Sequence, residues 1–486
     1  MTDFTPFGIG VAIVAGALVL AVLANLVSEK LRIPAPAFFL VGAALAALAL
    51  PPVSEAGRVL DEHIVSIALV VILFDGGMHI GWRRFRSSAG AIVALGIAGT
   101  ALTALAVAAA AHFVFGFDPI ASLLLGAALS PTDPAVVFSV LGNKEIGGRA
   151  GTMLEGESGA NDPVGIAIMI ALLSATGTGW AAVGSGLGTF ALQIGVGAVV
   201  GVAGGLGMRL LLRRLVLPDD NLASVIALAA AVFLYGIATA AQGSGFLAVF
   251  IAGILLGDLR APYKRDIARF VGSVGSLAEI VAFTVLGLTI QLDVVVQPRI
   301  LLTGLAIAGL LIFVIRPVLV GLVSLPIRIG WGERGFLLWS GLKGAVPILL
   351  GLLILSSERE GAQELYAIVF IVVLVSVVLQ GSLVPLLARL LRVPMRTMEQ
   401  RPWALDIRFA EQPEGLQRLE VAAGSRADGA TLREITQGET EWISLASRNG
   451  RILALRADTR LQAGDIVLAQ VDDEHDLGPL FDAREG

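Results

Sequence analysis

The sequence predicts an all-α polytopic membrane protein of about thirteen transmembrane helices. It is arranged as inverted repeats with two interrupted helices, and a small α+β domain follows at the C-terminal end. Three observations lead there. The chain is 56% hydrophobic with 58 glycines in addition, at a mean hydropathy of +0.85, whereas soluble domains are about 45–50% apolar with glycine included. Basic residues alternate between successive connections. Two apolar runs, seven spans apart, are broken by glycine and proline at corresponding places.

Runs of about 20 apolar residues mark the spans: 7–28, 35–51, 61–80, 89–115, 119–141, 150–175, 183–216, 221–242, 245–260, 266–290, 299–325, 333–356 and 364–392. The opening MTDFTPFGIG lacks a basic n-region and a small-residue cleavage site, so the first span reads as retained and not as a signal peptide. Twenty Lys and Arg residues follow odd-numbered spans, while only Arg58, Arg299 and Arg359 follow even-numbered ones. By the positive-inside rule the N-terminus lies outside and the C-terminus in the cytoplasm, as expected for a multi-pass protein of a bacterial inner membrane.

Gly126–Pro134 (GAALSPTDP) interrupts the fifth span and Ser340–Leu349 (SGLKGAVPIL) the twelfth. An odd offset inverts the second copy, with the seventh span as the link. Paired interrupted helices in inverted halves point to a secondary-transporter site near the bilayer midplane.

The polar centre follows the first break. Leu154–Val164 (LEGESGANDPV) carries Glu155, Glu157, Asn161 and Asp162 inside an apolar run. A charged side chain near the bilayer centre costs about 2.5–3.5 kcal/mol on insertion scales, so such a group argues for a site. Ser158 and Asp162 are four apart and share a helix face. With Asp133, Thr132 and the carbonyls freed by Pro131 and Pro134 they would give a cation five or six oxygen ligands, about the number a hard ion takes. A carboxylate that holds either a cation or a proton makes an exchanger. Asn161 adds no second charge, so one-for-one, electroneutral exchange is expected. A polar network that only holds helices together would not need helix-breaking prolines beside it. Glu157 and Lys343 stand one in each half and are expected to form a structural ion pair. Asp75 is expected in an entry funnel, in the ion shell or at a solvated helix end. Arg316 and Glu279 are expected to satisfy broken-helix carbonyls or line a cavity.

Residues 1–401 carry a net charge of +2 and residues 402–486 a net of −7, so the tail (402–486) is a separate acidic module after a transmembrane domain at 1–395. Its strands are expected at Leu416–Ala422, Glu441–Ser447, Arg451–Leu455 and Leu461–Val471, with Asn449-Gly450 as a hairpin turn and short helices at Thr431–Ile435 and Leu477–Phe481. The glycine-rich Gly201–Gly207 lies within a span and reads as close helix packing, not as a phosphate loop. Cysteine is absent, and no metal site or cofactor is expected beyond the transported ion.

SPTDP, then GES-x-x-NDPVG, then GLKGAVP near the end of a thirteen-span unit resembles the monovalent cation:proton antiporter-1 family, of the NhaP/NHE type, over residues 1–395. The resemblance implies an NhaA-like fold, ion and proton binding at Asp162, with Asp133 and Ser158 beside it, and a glutamate–basic pair at Glu157 and Lys343. Lys343 stands where most sodium exchangers of that family have arginine, and GLKGAVPI is similar to the potassium/proton branch. The tail resembles a TrkA-C (RCK C-terminal) domain, most clearly through RLQAGDIVLAQ, without the Rossmann half. That resemblance implies a homodimer and a small, nucleotide-type regulator.

The function expected is potassium/proton exchange, with sodium/proton exchange as the alternative. A ligand-gated channel is disfavoured because the chain has no carbonyl-ring filter. A membrane enzyme is disfavoured because the intramembrane acids have no His or Cys partners. No nucleic-acid partner is expected.

Overall fold

Helix ends in this chain are set by local chemistry. Asp118 caps Pro119–Leu129 by accepting the N–H groups of Ile120 and Ala121, both at 3.0 Å, and Pro119 occupies the first turn, where no N–H is needed. Ser244 caps Gly245–Gly257 through the N–H of Leu247 at 3.2 Å. The computed structural model describes Gly16, Val19 and residues 34–49, 51–141, 144–146, 148–175, 180–214, 221–259, 264–327, 329–357, 359–397, 416–435, 442–448, 451–470 and 478–481. Two compact units, residues 1–400 and 401–486, divide the chain.

Among the described residues of the first unit, six helices are long and apolar enough to cross a membrane: His63–Phe113, Val183–Arg214, Leu222–Ala240, Lys264–Thr289, Pro298–Ser324 and Ala362–Leu390. Four shorter apolar helices are Ala35–Leu48, Pro119–Leu129, Gly245–Gly257 and Ala345–Ser356. Gly148–Leu173 is 26 residues long and carries the acidic stretch. The expected first span, 7–28, lies outside the described residues apart from Gly16 and Val19. The expected loop between the third and fourth spans is helical instead. Pro51–Val93 runs through it and turns at Gly81, whose φ of 65° glycine adopts freely. There the N–H of Arg83 donates to Asp258 at 2.7 Å.

Both expected interruptions are present. Pro119–Leu129 and Ala135–Leu141 flank the first, Trp331–Trp339 and Ala345–Ser356 the second. The expected packing role of the glycine stretch also holds: a side chain at Gly201 would meet the Ala248 backbone at 2.7 Å, and one at Gly205 would meet Ala252 at 2.9 Å. Among the described residues, three helices contain π-helical turns, at Ala94–Gly99, Leu311–Ile315 and Ser376–Gly381. The large core holds Phe74, Phe283, Phe336 and Tyr366 fully buried. One pairing was not expected: β1 (Lys144–Ile146) runs antiparallel to β2 (Met395–Thr397), in register Glu145↔Arg396.

In the second unit β3 (Leu416–Glu420), β4 (Trp442–Arg448), β5 (Arg451–Ile452) and β6 (Ile466–Gln470) form one antiparallel sheet in the order β3-β6-β4-β5. Arg448 pairs with Arg451, the register of a two-residue hairpin, although Asn449 and Gly450 lie outside the described residues. Short helices Leu432–Ile435 and Gly478–Phe481 complete it, over a core that includes Val421, Ala446, Val467 and Phe481. Asp465 is fully buried and is held by Arg448 through two bonds of 2.8 Å and by the Gln462 N–H at 2.8 Å. Burial alone would push its carboxyl up; those bonds outweigh it and hold the group below the usual carboxylate range.

Candidate functional site: two crossed breaks and an unsatisfied carboxylate

Proline at 131 and 134 removes backbone donors, and the chain between them leaves the helix. The four residues Ser340 to Lys343 do the same in the second half. The two unwound segments meet. The N–H of Asp133 donates to the Leu342 carbonyl at 2.8 Å, and the N–H of Ala345 donates to the Asp133 carboxylate at 3.4 Å. Gly344 makes that approach possible, because a Cβ there would overlap the Asp133 carboxylate. Each break thus satisfies part of the other's exposed backbone, as irregular chain at membrane depth requires.

Lys343 completes the exchange. Its ammonium donates to the carbonyls of Pro131 at 2.9 Å and Ser130 at 3.3 Å. The Thr132 carbonyl accepts from the Ser158 hydroxyl at 2.6 Å. Asn161 brackets Thr132, its amide donating to the Thr132 hydroxyl at 2.7 Å and its oxygen accepting the Thr132 N–H at 3.3 Å. All three freed carbonyls therefore already accept from the protein, leaving each a second lone pair for an ion.

One expectation is corrected. Lys343 does not pair with Glu157. The partner of Glu157 is Arg316, Nη1 to Oε1 at 2.9 Å, with both side chains at most 6% exposed. Arg316 also donates to the carbonyls of Leu338 at 2.9 Å and Leu337 at 3.1 Å, at the end of the helix before the second break. The reason is reach and shape. A guanidinium can bridge a carboxylate and two carbonyls at once, whereas the lysine ammonium, closer to the first break, spends its hydrogens on carbonyls.

Asp162 lies one turn from Ser158 on Gly148–Leu173. It is 6% exposed, and its Oδ1 has no hydrogen-bond partner. Among the described residues it makes no ion pair. Asp133, Thr132, Ser158, Asn161 and Asp162 are all buried, and hydrogen bonds tie Asp133, Thr132, Ser158 and Asn161 to the first break or across to the second. Asp75 is placed elsewhere: its carboxylate lies over Gly272 and Gly275 of Lys264–Thr289, 3.3 Å from the His79 ring. Glu279, one turn beyond Gly275, has a buried Oε1 without a hydrogen-bond partner.

Sequence reasoning missed the partner of Glu157 and missed Ser376 and Gln380, which bond to the second break. A buried Ser and Gln four apart in an otherwise apolar span was the available signal. Among the described residues no group of His, Cys, Asp and Glu is arranged to hold a resident metal.

Two interrupted helices crossing at a charged centre within a shell of apolar helices define a secondary transporter of the broken-helix kind. Comparison with known proteins is more specific. The family described as "Sodium/hydrogen exchanger, transmembrane" matches residues 17–390, and the chain belongs to it. It is 34% identical over 400 residues to the "K(+)/H(+) antiporter NhaP" of Alkalimonas amylolytica, covering 81% of this chain and 69% of that protein. It is 31% identical over 481 residues to the "K(+)/H(+) antiporter NhaP2" of Shewanella baltica, covering 96% and 82%. The "Na(+)/H(+) antiporter NhaH" of Halobacillus aidingensis is 29% identical over 380 residues, covering 73% and 91%. The fold is like that of the sodium proton antiporter MjNhaP1 from Methanocaldococcus jannaschii, at a TM-score of 0.68 and 22% identity, covering 77% of this chain and 99% of that one.

Proposed function

We propose that the chain is a secondary active monovalent cation/proton antiporter that exchanges K+ for H+ by alternating access. The observation that carries the reading is the buried, unpartnered Oδ1 of Asp162 beside Ser158 and the crossed breaks. A buried carboxylate without a donor is stable only with a proton or a cation on it, never both. Asp133, Thr132 and Ser158 complete the shell, and Asn161 positions Thr132 without adding a charge, which favours one-for-one exchange. Na+/H+ exchange is the second reading, supported by the sodium-named relative and by the sodium antiporter of like fold. Thirteen spans, with the N-terminus outside and the tail in the cytoplasm, are supported by the alternation of basic connections.

The tail acts as a TrkA-C-type regulatory domain that dimerises and takes a nucleotide-type ligand. Support comes from its four-stranded antiparallel sheet and from the alignment to the NhaP2 relative, which covers 96% of the chain. A cut after Gln400 keeps β2 in place and is expected to preserve exchange while changing its response to pH or nucleotide. The reading as a whole is tested in everted vesicles, with K+ and Na+ side by side and a pH dye as readout. Cation-driven proton movement is expected, insensitive to a clamped membrane potential. No response to either ion, or a steep voltage dependence, would refute the reading or its stoichiometry.

A further inference from the structure

The π turn at Ser376–Gly381 bonds to both ends of the second break. The Ser376 hydroxyl accepts the backbone N–H of Lys343 at 3.0 Å and donates to the Gln380 side-chain oxygen at 2.6 Å. The Gln380 amide donates to the Trp339 carbonyl at 3.1 Å, and the Trp339 indole N–H returns to the Gln380 carbonyl at 3.1 Å. Trp339 is the last residue of the helix before the break, and Lys343 lies inside it. Gly381 packs against Pro34, where a Cβ would lie 2.5 Å from the ring, and near the Leu342 side chain at 3.3 Å. Ser340, Lys343, Ser376 and Gln380 are each at most 2% exposed.

The other two π turns also adjoin the site. Gly96, in the first, packs on Ala160 and Asn161, next to Asp162, and Leu311–Ile315 runs directly into Arg316. π turns mark places where a helix is deformed for function. A turn that only accommodated packing would not need three hydrogen bonds to Trp339 and Lys343 of one break, in a region where ordinary helices bond only to themselves.

We propose that Ser376 and Gln380 are positioning residues of the exchange reaction. They pin the unwound segment so that the Lys343 ammonium stays on the Ser130 and Pro131 carbonyls and Gly344 stays against Asp133. The proposal rests on the antiporter reading. Neither residue touches the ion; each acts through the backbone it holds.

The test compares wild type, Ser376→Ala, Ser376→Thr and Gln380→Leu in proteoliposomes, reading the KM for K+ and the maximal rate separately, with a melting curve for each. Wild-type exchange, lost in Asp162→Asn, establishes the reaction independently. Ser376→Ala and Gln380→Leu are expected to raise the KM about tenfold, the scale of one lost buried hydrogen bond. Ser376→Thr, which keeps the hydroxyl, is expected to restore a near wild-type KM. The proposal is overturned if Ser376→Ala melts lower but keeps the wild-type KM, or if Thr fails to rescue. Should Gln380→Leu not insert, the Ser376 pair decides alone.

Discussion

Glu157 and Asp162 stand five residues apart on one helix, and the protein treats them oppositely. The charge of Glu157 is matched by Arg316 at 2.9 Å, and that guanidinium is itself tied to two carbonyls. Asp162, equally buried, has an oxygen with no donor at all. Both are intramembrane carboxylates in the same eleven-residue stretch, and each has one buried oxygen without a hydrogen-bond partner, yet Glu157 is ion-paired and Asp162, among the described residues, is not. A matched buried charge is architecture, because removing its partner is costly. A buried carboxylate with no paired cation is where a mobile cation or proton would be drawn, which is the role proposed for Asp162.

The sharpest way to break the comparison is to neutralise each carboxylate. Asp162→Asn is expected to abolish exchange, measured as proton movement in vesicles, while its melting temperature in detergent equals or exceeds that of wild type. Removing an unsatisfied charge relieves a desolvation cost. A stable Asp162→Asn protein that still exchanges would end the contrast.

Glu157→Gln should do the reverse to stability. It leaves the Arg316 guanidinium buried without its counter-charge, at a cost of about 3–5 kcal/mol. Adding Arg316→Met should recover much of that loss in the melting curve, whereas adding Lys343→Met should not. Recovery with Lys343→Met instead would reassign the pair.

The crossing itself can be sharpened at one atom. Gly344→Ala places a methyl where the Asp133 carboxylate lies. Overpacking of this kind costs about 1–3 kcal/mol, and here it also displaces the carboxylate proposed as an ion ligand. Exchange should fall more than stability does, which a transport assay and a melting curve on the same preparation will separate.

The smallest effect is expected in the tail, where a buried carboxylate, Asp465, is again paired with an arginine. Asp465→Asn weakens two charge-assisted bonds to Arg448, about 2 kcal/mol of local stability. Because the folded carboxyl is held below its unfolded value of about 3.9, this contribution is present above that value. It is lost as pH falls through the folded pKa. Hydrogen exchange of the β6 amides in the whole protein should show the difference between variant and wild type near neutrality and a shrinking gap in acid. Vesicle exchange rates should not change.

How far the sequence alone reached follows from the range of each signal. Hydropathy, basic connections and the prolines at 131 and 134 are local, and bilayer physics acts on each of them directly. The membrane class, the two breaks and the polar residues at 158, 161 and 162 were therefore legible in order along the chain. The tail's strands were legible for the same reason, through alternation, although the strand expected at Arg451–Leu455 is only Arg451–Ile452. Partner choice was not. Two intramembrane bases, Arg316 and Lys343, stood available to one glutamate, and both offered the right sign of charge.

Only the crossing of the two breaks decided between them. It brings the lysine over the carbonyls of Ser130 and Pro131 and leaves the arginine facing Glu157. The β1–β2 pairing and the reach of Ser376 and Gln380 to Lys343 and Trp339 were hidden likewise. They join residues far apart in sequence, and short-range periodicity carries no information about which distant backbone will need a donor. Sequence determines which polar groups must be satisfied in the membrane. Tertiary structure decides which of them satisfy one another and which, like Oδ1 of Asp162, is left without a hydrogen-bond partner.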